Sequence, residues 1–179
     1  MRKLKNLKLI FILLIILGNT FYAQKSNVQI AGDYVQILIP VSAAASTFFK
    51  DDKSGRIEFI EAFATCLSAT YLLKFTIKRE RPDGSSSLSF PSGHTSSSFQ
   101  AASFIHFRYG FEYAIPGYLA AAFVGYSRVY AKKHYTSDVL AGAALGILSS
   151  YVFTDKYEKV NIIPSIEGNS FGFNLSYKF

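Results

Sequence analysis

The sequence predicts an all-α protein, an up-and-down bundle of about five or six helices, followed by a short C-terminal β-hairpin. Three observations carry this. Half of the 179 residues are hydrophobic, and they gather in runs of helical length separated by short polar turns or by glycine and proline. In the last of these runs Gly142 and Gly146 stand four residues apart, the small-xxx-small spacing that lets helices approach closely. From Phe171 the period changes to two: Phe171, Phe173, Leu175, Tyr177 and Phe179 alternate with Gly172, Asn174, Ser176 and Lys178, which is strand periodicity.

This length supports one domain with a real core. The formal charge is +7, but Arg2, Lys3, Lys5 and Lys8 contribute four of the positive charges at the extreme N-terminus. No basic stripe with interleaved aromatics follows, and nucleic-acid binding is excluded on that ground. The single cysteine, Cys66, makes neither an intrachain disulfide nor a metal site and reads as a small core hydrophobe.

Residues 1–23 have a basic start, an apolar run from Leu9 to Leu17, and Gly18 to Ala23 before Gln24. This is the layout of a secretory signal cut after Ala23 or, with Phe21 at minus three, of an uncleaved membrane anchor. Either way the positive start holds the N-terminus inside. The predicted domain spans residues 24–156, with residues 157–179 as a tail.

The first helix of the domain is expected from Tyr34 to Phe49, closed by the polar turn Lys50 to Gly55. The second runs from Arg56 to about Arg79, stopped by Pro82 and Gly84. Its Glu58 and Glu61 read as a solvated or interfacial patch rather than an acid/base pair. After a polar loop, Ser85 to Ser89, a third helix opens at His94 or Thr95 and ends at Gly110. A fourth is expected from about Ala114 to Ala131. The fifth, from about Ser137 to Phe153, is capped by Thr136, Ser137 or Asp138. In the tail, Val160 to Ile166, a Gly168-Asn169 turn and the alternating strand make a hairpin.

Three motifs fall at helix ends: Lys74 with Arg81-Pro82, Pro91-Ser92-Gly93-His94, and Ser127-Arg128 with His134 and Asp138. In an up-and-down bundle, the end of the second helix, the start of the third, the end of the fourth and the start of the fifth share one end of the molecule. If the second helix persists to Arg81, seven residues at 100° bring it to within about 20° of Lys74. Three cations, Lys74, Arg81 and Arg128, then converge and call for a compact polyanion such as a phosphomonoester. The Ser92-Gly93 backbone adds amide donors at a helix N-terminus, and Gly93 removes a side chain where the anion approaches. Lys78, Arg79, Lys132 and Lys133 read as solvated charges, and His106 as a packing residue about 120° from His94 on the third helix.

The set K-x6-R-P, P-S-G-H and S-R-x5-H-x3-D resembles the signature of the type 2 phosphatidic acid phosphatase (PAP2) and vanadium haloperoxidase superfamily. It is in order, without a departure, over roughly 65 residues, Lys74 to Asp138. The resemblance implies that His134 is the nucleophile and forms a phosphohistidine, that Asp138 holds its other ring nitrogen, and that His94 protonates the leaving alkoxide and then activates water. It implies phosphate binding by Lys74, Arg81, Arg128, Ser92 and Gly93, no cofactor, and orthovanadate as an inhibitor. Ser127 supports the loop or bonds phosphate. The family includes haloperoxidases, usually in longer chains, so this length favours a phosphatase. A non-catalytic anion-binding protein needs neither His134 nor Asp138.

Two substrate readings stand. Runs of about 15 to 18 apolar residues suit an exported soluble acid phosphatase, being at or below the roughly 20 that span a bilayer. Six hydrophobic segments, the third closing on the first motif, match the family's integral lipid phosphatases. The favoured expectation is a membrane-associated phosphatase of phosphatidate, phosphatidylglycerophosphate, undecaprenyl diphosphate or lipid A. Its site then faces the outer side of the inner membrane; the oligomeric state is left open.

Overall fold

The computed structural model describes residues 26–157, 160–167 and 170–177. The expectations for residues 1–23 and for the Gly168-Asn169 turn fall outside these. The described part contains five helices: α1 Asn27–Phe49, α2 Lys53–Ile77, α3 Gly93–Tyr109, α4 Phe111–Tyr130 and α5 Thr136–Phe153. Two strands, β1 Val160–Glu167 and β2 Ser170–Tyr177, pair antiparallel with Val160 opposite Tyr177.

The helix boundaries correct the expectations in ways that bear on the site. Helix α1 starts at Asn27, seven residues before Tyr34, because Ser26 caps it and accepts from the Gln29 amide at 3.2 Å. The extension brings Gln29, Gly32 and Asp33 into the bundle. Helix α2 starts at Lys53 under an Asp52 cap and ends at Ile77, where Lys78 takes a left-handed conformation, φ 49°. The chain therefore leaves the helix before Pro82, and Arg81 does not sit two helical turns above Lys74. Helix α4 begins at Phe111, directly after Gly110. Helix α5 starts behind Tyr135, and the expected capping residues lie inside it; Asp138 reaches back and accepts from the Tyr135 amide at 3.0 Å.

Helix α3 is central and touches each of the other four helices. It meets α5 so closely that a Cβ on Gly142 would lie 2.6 Å from the Ser92 carbonyl oxygen, and one on Gly146 would overlap that of Ser96. The glycine spacing read from the sequence thus sets the α3–α5 contact, which Ser150 reinforces by donating to the Gln100 carbonyl at 2.7 Å.

The bundle is apolar outside and keeps many polar side chains inside, beside a core cluster that includes Phe59, Phe104 and Val124. Ser96, Ser98, Gln100 and Ser103 of α3 are buried, as are Arg108 and Asp138, whereas Leu38, Leu72 and Leu119 are 62%, 68% and 69% exposed. Water would penalise this distribution, and hydrocarbon favours it. Helices α1, α2 and α5 are long and apolar enough to cross a membrane, and the 23 and 25 residues of α1 and α2 give roughly 35 Å of helix each. Exposed aromatics cluster toward both ends, Tyr71, Phe75, Tyr126 and Tyr130 at one and Phe48, Phe49, Phe111 and Tyr151 at the other, as at the two interfaces of a bilayer.

Away from the motifs, buried Arg108 donates to both Asp52 oxygens, at 2.7 and 2.6 Å, and to Glu58 at 3.1 Å. Glu58 is thus an ion-pair partner rather than a solvated charge, and Tyr109 donates to Asp52 as well. These bonds fasten α2 to α3 at the end opposite the site.

Candidate active site

A cavity of about 460 Å³ opens at the motif-bearing end of the bundle. Lys74, Arg81, Gly93, His94 and His134 line it, with Phe63, Leu67 and Tyr71 of α2 forming an apolar wall and Gln36 of α1 nearby. Five of the eight expected site residues therefore meet in one space. The other three, Ser92, Arg128 and Asp138, stand behind it and are buried.

Lys74 reaches the cavity from the last turn of α2. Its ammonium donates to the Leu88 and Pro91 carbonyls at 2.8 and 2.6 Å, which fixes the loop before α3 around the cation. Arg81 arrives from a turn in which its own amide donates to Ser86 and its carbonyl accepts from Gly84, both at 2.9 Å. The two cations converge through this turn and not through a shared helix face. Arg81 Nε is buried with no hydrogen-bond partner among the described residues, a cost that an anion in the cavity would relieve.

Ser92 is the N-cap of α3, and its Oγ accepts from Thr95. Its amide is already committed to the Asp138 carbonyl at 2.9 Å, so it is not the phosphate donor the sequence suggested. The bond instead ties the second motif to the third. Gly93 lines the cavity, and a Cβ there would approach Thr70 and Lys74 at 3.7 and 3.8 Å, in the direction an anion must use.

His134 sits in the turn between α4 and α5, 4% exposed. Burial first, then the charges of Lys74 and Arg81, push its pKa down to about 4, so the imidazole is neutral across the physiological range. Nδ1 is 3.7 Å from Asp138 Oδ2 and 3.5 Å from Ser89 Oγ, leaving Nε2 as the other ring nitrogen. Asp138 is fully buried. Its Oδ2 accepts from Ser89 Oγ at 2.5 Å and from the Tyr135 amide, and Oδ1 accepts from Arg79 at 2.8 Å.

Arg79 corrects the reading of it as a solvated charge. It donates to Asp138 and Ser137 and lies 4.0 Å from the centre of the Tyr135 ring. Lys133 is also paired, with Asp83, and its charge together with the bonds from Ser85 holds the Asp83 carboxyl well below the usual range despite some desolvation. Sequence reasoning missed Ser89, which no motif marks.

Arg128, 3% exposed, turns toward α1: it donates to the Gln29 carbonyl at 2.8 Å and to Asp33 Oδ1 at 2.6 Å, and its Nε donates to Ser127 Oγ. His94 Nε2 lies 3.0 Å from the same Asp33 oxygen. Asp33 was also missed, because the first helix was expected to start one residue after it. Its signal was visible: it is the one Asp or Glu in a 23-residue helix without Lys or Arg. His106 behaves as expected of a packing residue, 3.1 Å from Tyr118 Oη and stacked on Phe107. Among the described residues no group of three His, Cys, Asp or Glu is placed to hold a metal.

A 46% identical relative, the lipid A 1-phosphatase of Porphyromonas gingivalis, aligns over 78 residues, 42% of this chain and 18% of the relative. The lipid A 4'-phosphatase of Helicobacter pylori is 33% identical over 56% of this chain and 54% of its own length. The chain thus spans about half or less of these two relatives. Phosphatidylglycerophosphatase B of Bacillus subtilis is 30% identical over 73% of this chain and 71% of its own length. The fold is shared with the crystal structure of Aquifex aeolicus LpxE at a TM-score of 0.61 and 22% identity, over 73% of this chain and 87% of that one. The family profile described as the PAP2 superfamily matches residues 56–162, so that all three motifs fall within the match: the chain belongs to the PAP2 superfamily.

Proposed function

We propose that this protein hydrolyses the phosphate of a phosphorylated membrane lipid, of the lipid A or phosphatidylglycerophosphate class, through a phosphohistidine on His134. The observation that carries the reading is one cavity joining a neutral, buried histidine and two cations to an apolar wall, inside a bundle whose outer surface suits lipid. A phosphate dianion sits against Lys74 and Arg81, whose charges meet the negative charge on the equatorial oxygens. His134 Nε2 attacks phosphorus, Asp138 and Ser89 hold the ring from the Nδ1 side, and His94 serves the leaving oxygen. Phe63, Leu67 and Tyr71 accept the apolar part of the substrate. An inside N-terminus would put this end of the bundle on the outer side of the inner membrane.

The exposed apolar faces of α1, α2, α4 and α5 favour this over an exported soluble acid phosphatase. The test is phosphate release by detergent-purified protein from lipid A, phosphatidylglycerophosphate, phosphatidate, an isoprenoid diphosphate and a soluble aryl phosphate. His134→Ala is the blank and orthovanadate the inhibitor. Release confined to lipids supports the reading. Wild-type-like release by the folded His134→Ala protein would sink the phosphohistidine, and release from the aryl ester alone would sink the lipid assignment.

A further inference from the structure

The carboxylate of α1 stands to His94 as Asp138 stands to His134. Asp33 Oδ1 lies 3.0 Å from His94 Nε2 and 2.6 Å from Arg128 Nη1. A carboxylate in a helix of membrane-spanning length is costly unless it is partnered, and such residues mark function. Stabilising Arg128 does not by itself explain the placement, because Arg128 also has the Gln29 carbonyl and Ser127 Oγ. Contact with His94, whose side chain is 37% exposed in the cavity, is the additional feature. The approach is tightly built: a Cβ on Gly32 would overlap Ser127 Oγ and lie 2.7 Å from Arg128 Nη2.

We infer that Asp33 is a positioning residue that orients His94 through its Nε2, so that His94 can protonate the leaving group through its other ring nitrogen. The inference rests on the phosphatase reading above. With Nε2–H donated to Asp33, His94 Nδ1 carries the transferable proton. As the N–P bond forms from His134 Nε2, the P–O bond to the lipid breaks and its electron pair goes to the alkoxide, which takes the Nδ1 proton. In the second half water gives a proton to Nδ1 as its oxygen attacks phosphorus. The P–N bond then breaks and its electron pair returns to His134. Asp33 gains and loses no proton.

A role in leaving-group protonation is visible in how the loss depends on the leaving group. Wild type, Asp33→Asn, Asp33→Glu and His94→Ala are compared on phosphatidate, an alkyl phosphate, and on p-nitrophenyl phosphate, whose leaving group needs little protonation. If wild type releases phosphate from neither, the phosphatase reading fails and not this inference. With an active wild type, Asp33→Asn is expected to lose at least about tenfold more kcat/KM, which reports the steps up to leaving-group departure, on phosphatidate than on the aryl ester, general acid catalysis supplying about 10²–10⁴-fold. His94→Ala should shift the ratio the same way, and Asp33→Glu, which keeps the charge, should restore part of it. An unchanged thermal midpoint in detergent certifies the fold of each variant. Parallel loss on both substrates, or a ratio shifted by less than tenfold, overturns the inference.

Discussion

His134 is the most sharply testable group in the cavity. Its pKa is pushed down to about 4, well below the ordinary imidazole range, which corresponds to about 3 kcal/mol in favour of the neutral ring. Desolvation is the largest cause, and Lys74 and Arg81 follow. The direction is fixed by the physics: a depressed value means that the native state binds fewer protons than the unfolded chain between the two pKa values. The contribution to stability is fully present above about 6.5 and is lost as pH falls through about 4. At pH 5, about 90% of His134 is then neutral, against about 3% of an ordinary histidine, roughly a thirtyfold difference in available nucleophile. With only three histidines in the chain, ¹⁵N-histidine NMR in detergent can follow each one, assigned through His94→Gln and His134→Gln. We expect the His134 resonance to titrate near pH 4 and, in Lys74→Met, at a clearly higher pH. A wild-type midpoint at 6 or above, or a midpoint indifferent to Lys74→Met, would refute the electrostatic account.

Arg79→Met removes the donor that holds Oδ1 of the buried Asp138. An unsatisfied buried acceptor costs about 1–3 kcal/mol, so kcat should fall by about tenfold or more with little change in KM; unchanged kcat would return Arg79 to the status of a surface charge. Gly146→Ala sets a methyl onto the Ser96 carbonyl and 2.6 Å from the Gln100 nitrogen. Both are backbone atoms, so α3 and α5 must separate at about 1–3 kcal/mol. The thermal midpoint in detergent should drop by several degrees, and an unshifted midpoint would mean that the helices do not approach as described.

The sequence by itself determined the helical order, the end of the bundle at which the motifs meet and five of the residues that line the cavity there. Those features follow from local chemistry: apolar runs, Pro and Gly breaks, and charged residues placed at fixed distances from helix ends. Lys74, His94 and His134 were legible because each sits in a motif at an end that alternating helix direction brings together. The tight α3–α5 contact was legible too, since small residues four apart imply a close approach wherever the partner lies.

Tertiary structure decided which groups touch. Arg81 reaches Lys74's cavity although α2 stops at Ile77, because a left-handed Lys78 and the turn closed by Ser86 redirect the chain. Asp33 meets His94 and Arg128 across 61 and 95 residues of sequence, and Arg79 meets Asp138 across 59. No local pattern encodes such separations. They arise when three helices dock and a buried charge takes the nearest partner of opposite sign, and the same docking turned the polar residues of α3 inward and left the apolar faces to lipid.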